Sequence, residues 1–127
     1  MTLEMNYLAM YGLMIVLLIL MQVLISASQH GLVPLLGNRE NLNSTGIAHR
    51  AERAVQNSLV AMALIAPSIL MLAITNVTTS GTVLAVQIFL TARILYAVCF
   101  ILGVIYLRTL TWVTGFVATA YLYLGLL

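Results

Sequence analysis

Four stretches of this chain, residues 7–27, 54–74, 83–103 and 109–127, are apolar throughout and hold a single charge between them, Arg93 in the third. A helix needs about 20 such residues to cross the roughly 30 Å hydrocarbon layer of a bilayer. With 63% hydrophobic and 6% charged residues over 127 positions, the chain cannot supply a water-soluble surface, and four crossings leave no length for a soluble domain. The first run is longer than the core of a cleavable signal peptide, and the only charge before it is Glu4, so it reads as a retained span. The expected fold is an all-α, four-transmembrane-helix antiparallel bundle, one domain over residues 1–127, with helices at about 7–27, 46–74, 83–103 and 109–127.

The connections differ. Residues 75–82 form a short uncharged loop, and a tight one is expected around 104–108, so the last three helices should pack as antiparallel neighbours. The first connection, residues 28–45, contains Pro34, Gly37, Arg39, Glu40 and an Asn-rich stretch ending at Ser44. Ser44 or Thr45 can cap a helix that starts near Gly46 and reaches Ile74, with Pro67 as a kink. Such a helix is longer than the hydrocarbon layer is thick, so its first turns, with Arg50 and Arg53, should project on the loop side.

All five basic side chains are arginines. Arg39, Arg50, Arg53 and Arg108 lie beside the first and third loops, which by the positive-inside rule puts residues 28–45 and 104–108 in the cytoplasm and both termini outside. The formal charge of +2 is too small to argue for a nucleic-acid partner. Cys99 is the only cysteine and excludes an intrachain disulfide or a thiolate cluster. His30 and His49 are far apart with no acidic partner at metal or catalytic spacing and read as polar loop residues, and no metal is expected. Asn43-Ser-Thr45 and Asn76-Val-Thr78 fit the glycosylation acceptor pattern, which is short enough to arise by chance.

Arg50, Arg53 and Asn57 recur at spacings of three and four, one stripe of a helix, and such a stripe can grip an anion. Equally, the arginines can simply mark the interface. Arg93 falls mid-helix, with Tyr96 and Phe100 following on its face. A cation at that depth must turn to the bundle interior, either as a functional group or as a clasp to Asn57, Gln56 or a carbonyl. Arg108 could favour a thiolate, or anchor its helix at the interface.

These residues carry a resemblance. Arg50-Ala-Glu-Arg53-Ala-Val-Gln-Asn57, Ala92-Arg93-Ile-Leu-Tyr96 and Leu107-Arg108-Thr-Leu-Thr-Trp112-Val-Thr-Gly115, in this order, resemble the MAPEG family, membrane-associated proteins in eicosanoid and glutathione metabolism, in its short bacterial branch. The resemblance implies a homotrimer in a bacterial inner membrane with glutathione at each subunit interface. It implies Arg50, Arg53, Asn57, Arg93 and Tyr96 as glutathione-binding residues and Arg108 as the catalytic one, acting on a small lipophilic electrophile or hydroperoxide. The chain departs from the pattern twice. The glutamate expected three residues after the asparagine is Val60, and an aromatic hydroxyl expected four residues after Tyr96 is Phe100. Those losses keep open a non-catalytic trimeric membrane module that holds an anionic lipid or a protein partner.

Overall fold

The computed structural model describes residues 2–31 and 46–127. Four helices follow one another: α1 (Leu3–His30), α2 (Gly46–Ile74), α3 (Ser80–Leu102) and α4 (Ile105–Leu126). Even α4, the shortest at 22 residues, is about 33 Å long, enough to cross the hydrocarbon. The chain is therefore an integral, multi-pass, all-α membrane bundle, as its four apolar runs require.

Inside hydrocarbon every backbone N–H and C=O must find a partner within the chain, and uninterrupted helices achieve this segment by segment. The helices run past the apolar stretches because their limits are set by caps. Thr2 accepts from the Met5 amide at 3.2 Å and starts α1 ahead of the apolar run; α1 continues through Ser28 and Gln29 to His30, closed by Gly31 at φ 82°. The two histidines are thus not loop residues: His30 ends α1, and His49 lies exposed in the first turn of α2. Thr79 and Thr82 form a reciprocal capping box, which starts α3 at Ser80. At the other end Gly103 adopts the left-handed conformation, φ 81°, and only Val104 separates it from α4. Arg108 consequently lies within the first turn of α4 and not in a loop. Pro67 sits inside α2, which runs on through it to Ile74. The proposed caps Ser44 and Thr45, with Pro34, Gly37, Arg39 and Glu40, fall outside the described residues.

Sequential helices pack side by side; α1 also lies against α3 and α4 against α2, and among the described residues α1 and α4 do not touch. The polarity is that of a membrane protein. Outward positions of α1 are leucines and valines such as Leu13, Val16, Leu17 and Leu24, while Ser26, Ser58, Ser68 and Thr119 are buried. Small side chains admit close helix approach: Ala48, Ala51 and Ala54, at intervals of three on α2, are completely buried. The central packing cluster contains Tyr11 and Ile15 of α1, Ile65, Ile69 and Leu72 of α2, Phe89 of α3 and Leu122 of α4. Tyr11 meets Phe89 edge to face at 5.0 Å and donates its hydroxyl to the Ser58 carbonyl oxygen at 2.7 Å.

Tyr11→Phe keeps the ring contact and removes only that hydroxyl, so it should lower stability in detergent by about 1 kcal/mol, the usual size of an interhelical hydrogen bond in a membrane protein. Tyr11→Ala should cost roughly 3–5 kcal/mol through the cavity it leaves. Equal losses in thermal unfolding of the two variants would show that the hydroxyl, and not the ring, holds α1 in place.

Candidate functional site

At the end of the bundle that carries α2's first turns, Arg50 donates from Nε to the Ile101 carbonyl oxygen at 2.8 Å. This carbonyl is among the last of α3, where helix oxygens lack helical partners and the dipole favours a cation. Nearby, the Arg108 guanidinium stands over the Phe100 ring, 4.8 Å from its centroid. Phe100 lies 5.7 Å from Tyr96, whose ring in turn faces the Arg93 guanidinium at 4.3 Å. Two arginines and two rings therefore form a continuous ladder that descends α3 from the interface into the membrane.

Arg93, at its inner end, is 2% exposed. The stem passes Gly115 of α4, where an added Cβ would come within 3.4 Å of Arg93 Cδ. The Tyr11 hydroxyl lies beside the guanidinium. Nε and Nη2, however, are buried with no hydrogen-bond partner. They border a crevice of about 90 Å³ between α2, α3 and α4, walled by Asn57, Val60, Leu64, Phe89, Trp112 and Phe116 among others. A larger groove of about 530 Å³ runs between α3 and α4, lined by Leu84, Ile88, Val113, Val117 and Tyr121 without a charged side chain. The polar chemistry is at the smaller one. Among the described residues no group of three or more His, Cys, Asp or Glu side chains could hold a metal, and Cys99 is a free, half-buried thiol.

The α2 stripe does not act as one unit. Arg50 turns to α3, Arg53 is exposed, and Asn57 donates to its own helix at the Arg53 carbonyl oxygen, 3.2 Å away, while also lining the crevice. Asn57 and Arg93 thus share a wall, and Arg93, Tyr96 and Arg108 share a ladder. Arg93 makes no clasp through Nε or Nη2 to Asn57, Gln56 or a carbonyl. Sequence reasoning missed Gly115, whose missing side chain leaves room for the arginine stem, and Tyr11, which comes from a helix with no polar motif. It also counted Phe100 as a lost hydroxyl, where the structure makes it the platform beneath Arg108.

Over residues 7–127 the sequence matches the profile of the MAPEG family. The chain belongs to the MAPEG family. A comparison with curated proteins and one with solved structures each gave no match. Within the MAPEG pattern the two departures fall on the site just described: Val60 lines the crevice beside Arg93, and Phe100 forms a rung of the ladder.

An unpaired buried cation opposes folding, because its desolvation is not repaid. Arg93→Met should therefore raise the ligand-free stability of this MAPEG chain by about 1 kcal/mol or more, read as a higher unfolding midpoint in detergent. A fall comparable to a core truncation would mean that the Tyr96 ring and Tyr11 hydroxyl already satisfy the charge.

Proposed function

We propose that the protein binds glutathione and uses it as a transferase or peroxidase on lipophilic electrophiles or hydroperoxides. The observation that supports this best is the ladder from Arg108 through Phe100 and Tyr96 to Arg93, with Asn57 at its inner end, in a chain of this family. Arg53 and Asn57 hold the peptide, Arg50 and Arg93 add the positive field that its carboxylates need, and Tyr96 lines the site. Arg108 is the catalytic residue. A thiol with an ordinary pKa near 8.5 is a weak nucleophile at neutral pH, and a fixed guanidinium beside it favours the thiolate that attacks the electrophile. The Phe100 ring holds that guanidinium by a cation–π contact in place of a hydroxyl.

The site is completed in a homotrimer, where the exposed Arg53 of one subunit faces helices of the next. The basic end, with the segment between α1 and α2, lies in the cytoplasm of a bacterium whose inner membrane the bundle spans. A second reading, a non-catalytic trimeric module that holds an anionic lipid or a protein partner, is favoured by Val60, which leaves Arg93 without a carboxylate.

Calorimetry on the detergent-purified protein should show saturable glutathione binding that Arg53→Ala weakens by about tenfold or more, consistent with the loss of a charge-assisted contact. Arg108→Ala should retain most binding yet lose the ultraviolet absorbance of bound thiolate. No glutathione binding by folded protein removes the transferase reading; unchanged thiolate absorbance removes the role of Arg108.

A further inference from the structure

Arg93 Nε and Nη2 are adjacent on one edge of the planar guanidinium, and their N–H bonds run parallel. That edge receives both oxygens of a single carboxylate, which an alcohol or an ester cannot imitate. The rest of the group is already engaged, by the Tyr96 ring at 4.3 Å and the neighbouring Tyr11 hydroxyl. What remains, buried and without a hydrogen-bond partner, is this fork facing a crevice of about 90 Å³. A space of this size takes a carboxylate head and not a peptide, since pockets that enclose larger ligands start at about 300 Å³.

The chain does not bring its own carboxylate to this point. Of its three acidic residues, Glu4 lies at the far end of the bundle, bonded to Thr82, and Glu52 lies near the start of α2. Glu40 belongs to the segment outside the described residues. No acidic side chain lines the crevice. Its outer walls, Leu64, Trp112 and Phe116, are exposed apolar side chains on the flank of a membrane helix bundle. Arg93 is also near mid-length of the 23-residue α3. A phospholipid headgroup is held at the interface, roughly 15 Å from the bilayer centre, and does not reach this depth. A single-chain acid can sink to it.

We propose that the crevice binds the carboxylate of a single-chain lipophilic acid taken from the bilayer, with both oxygens on the Nε–Nη2 edge of Arg93 and the chain along Leu64, Trp112 and Phe116. The inference rests on reading the Asn57–Arg93 wall as the inner end of the binding site, and it names the chemical class of the site's lipophilic ligand.

Trp112 is the only tryptophan and lines the crevice, so its fluorescence reports occupancy. The full chain in phosphatidylcholine nanodiscs, without glutathione, is titrated with oleic acid, oleyl alcohol and methyl oleate at a pH where the acid is ionised. Oleic acid should saturate the signal at a concentration about tenfold or more below the other two, consistent with a charged two-oxygen contact. Arg93→Gln should erase this preference. Val60→Glu, which places a carboxylate at the crevice while Arg93 stays, should weaken oleic acid by a similar factor and tests the same point should Arg93→Gln fail to fold. Equal affinity for the acid and its methyl ester, or undiminished oleic acid binding by Val60→Glu, overturns the proposal. Glutathione is titrated separately. If it binds while the acid shows no preference, this inference fails and the transferase reading stands. If the acid is preferred and glutathione does not bind, the inference stands and the protein is a carboxylate-binding membrane module.

Discussion

A guanidinium cannot lose its charge under ordinary conditions, and in the middle of a bilayer it cannot reach bulk water. Where Arg93 sits therefore constrains everything around it. It must be wrapped by other helices, which fixes α3 in the interior of the bundle with contacts to α1, α2 and α4. Its stem must pass a neighbouring helix closely, and α4 presents Gly115 at that level. Its face must meet something polarisable, and Tyr96, one turn along the same helix, supplies a ring. Tyr11 reaches the same region from α1, and its own hydroxyl is directed at the Ser58 carbonyl of α2, so the group beside the cation is itself fixed by a third helix.

The ends of α3 are held by opposite charges, each matched to the helix dipole. At the N-terminal end the buried Glu4 carboxylate accepts from the Thr82 hydroxyl at 2.8 Å, near the amides of the capping box. At the C-terminal end Arg50 donates to the Ile101 carbonyl. Glu4 comes from α1 and Arg50 from α2, so the most deeply charged helix is tied at its two ends to two different neighbours. With both ends registered, Arg93 is held at one depth and one rotation. A half-turn of slippage would point its guanidinium at lipid.

The number and order of the spans were legible in the sequence because hydrocarbon thickness and backbone satisfaction leave few alternatives for four charge-poor runs. Helix limits were less so. Apolarity measures where a chain is in lipid, whereas Thr79, Gly103 and Thr2 decide where a helix starts or stops, and these caps lie outside the apolar runs. Arg108 illustrates the difference, since a charge ended the apolar run but not the helix. For the site, helical spacing correctly placed Arg93, Tyr96 and Phe100 on one face. Spacing on one helix could not show that Arg50 turns to α3, nor that Tyr11 and Gly115 arrive from α1 and α4 to enclose Arg93. Such contacts depend on how helices meet, and helices that are apolar all round carry little periodic signal of the faces they present.

Val60 and Phe100 act in opposite senses on this frame. Phe100 gives up a hydroxyl, yet its ring still connects Tyr96 to Arg108, so the ladder stays continuous and only its hydrogen-bonding capacity falls. Val60 gives up a carboxylate at the one place where a cation has two unpartnered nitrogens. A glutamate there would neutralise Arg93 within the protein and leave little free-energy demand for any other anion. Valine leaves the demand unmet, so the folded state carries an electrostatic penalty that only an incoming anion can relieve. Binding and stability are then linked through one residue: whatever pairs with Arg93 stabilises the bundle in proportion to how much tighter it binds the folded than the unfolded chain. The same substitution that makes the site incomplete as a protein structure makes it selective as a receptor, because among ligands small enough for the crevice only those that bring a carboxylate complete it.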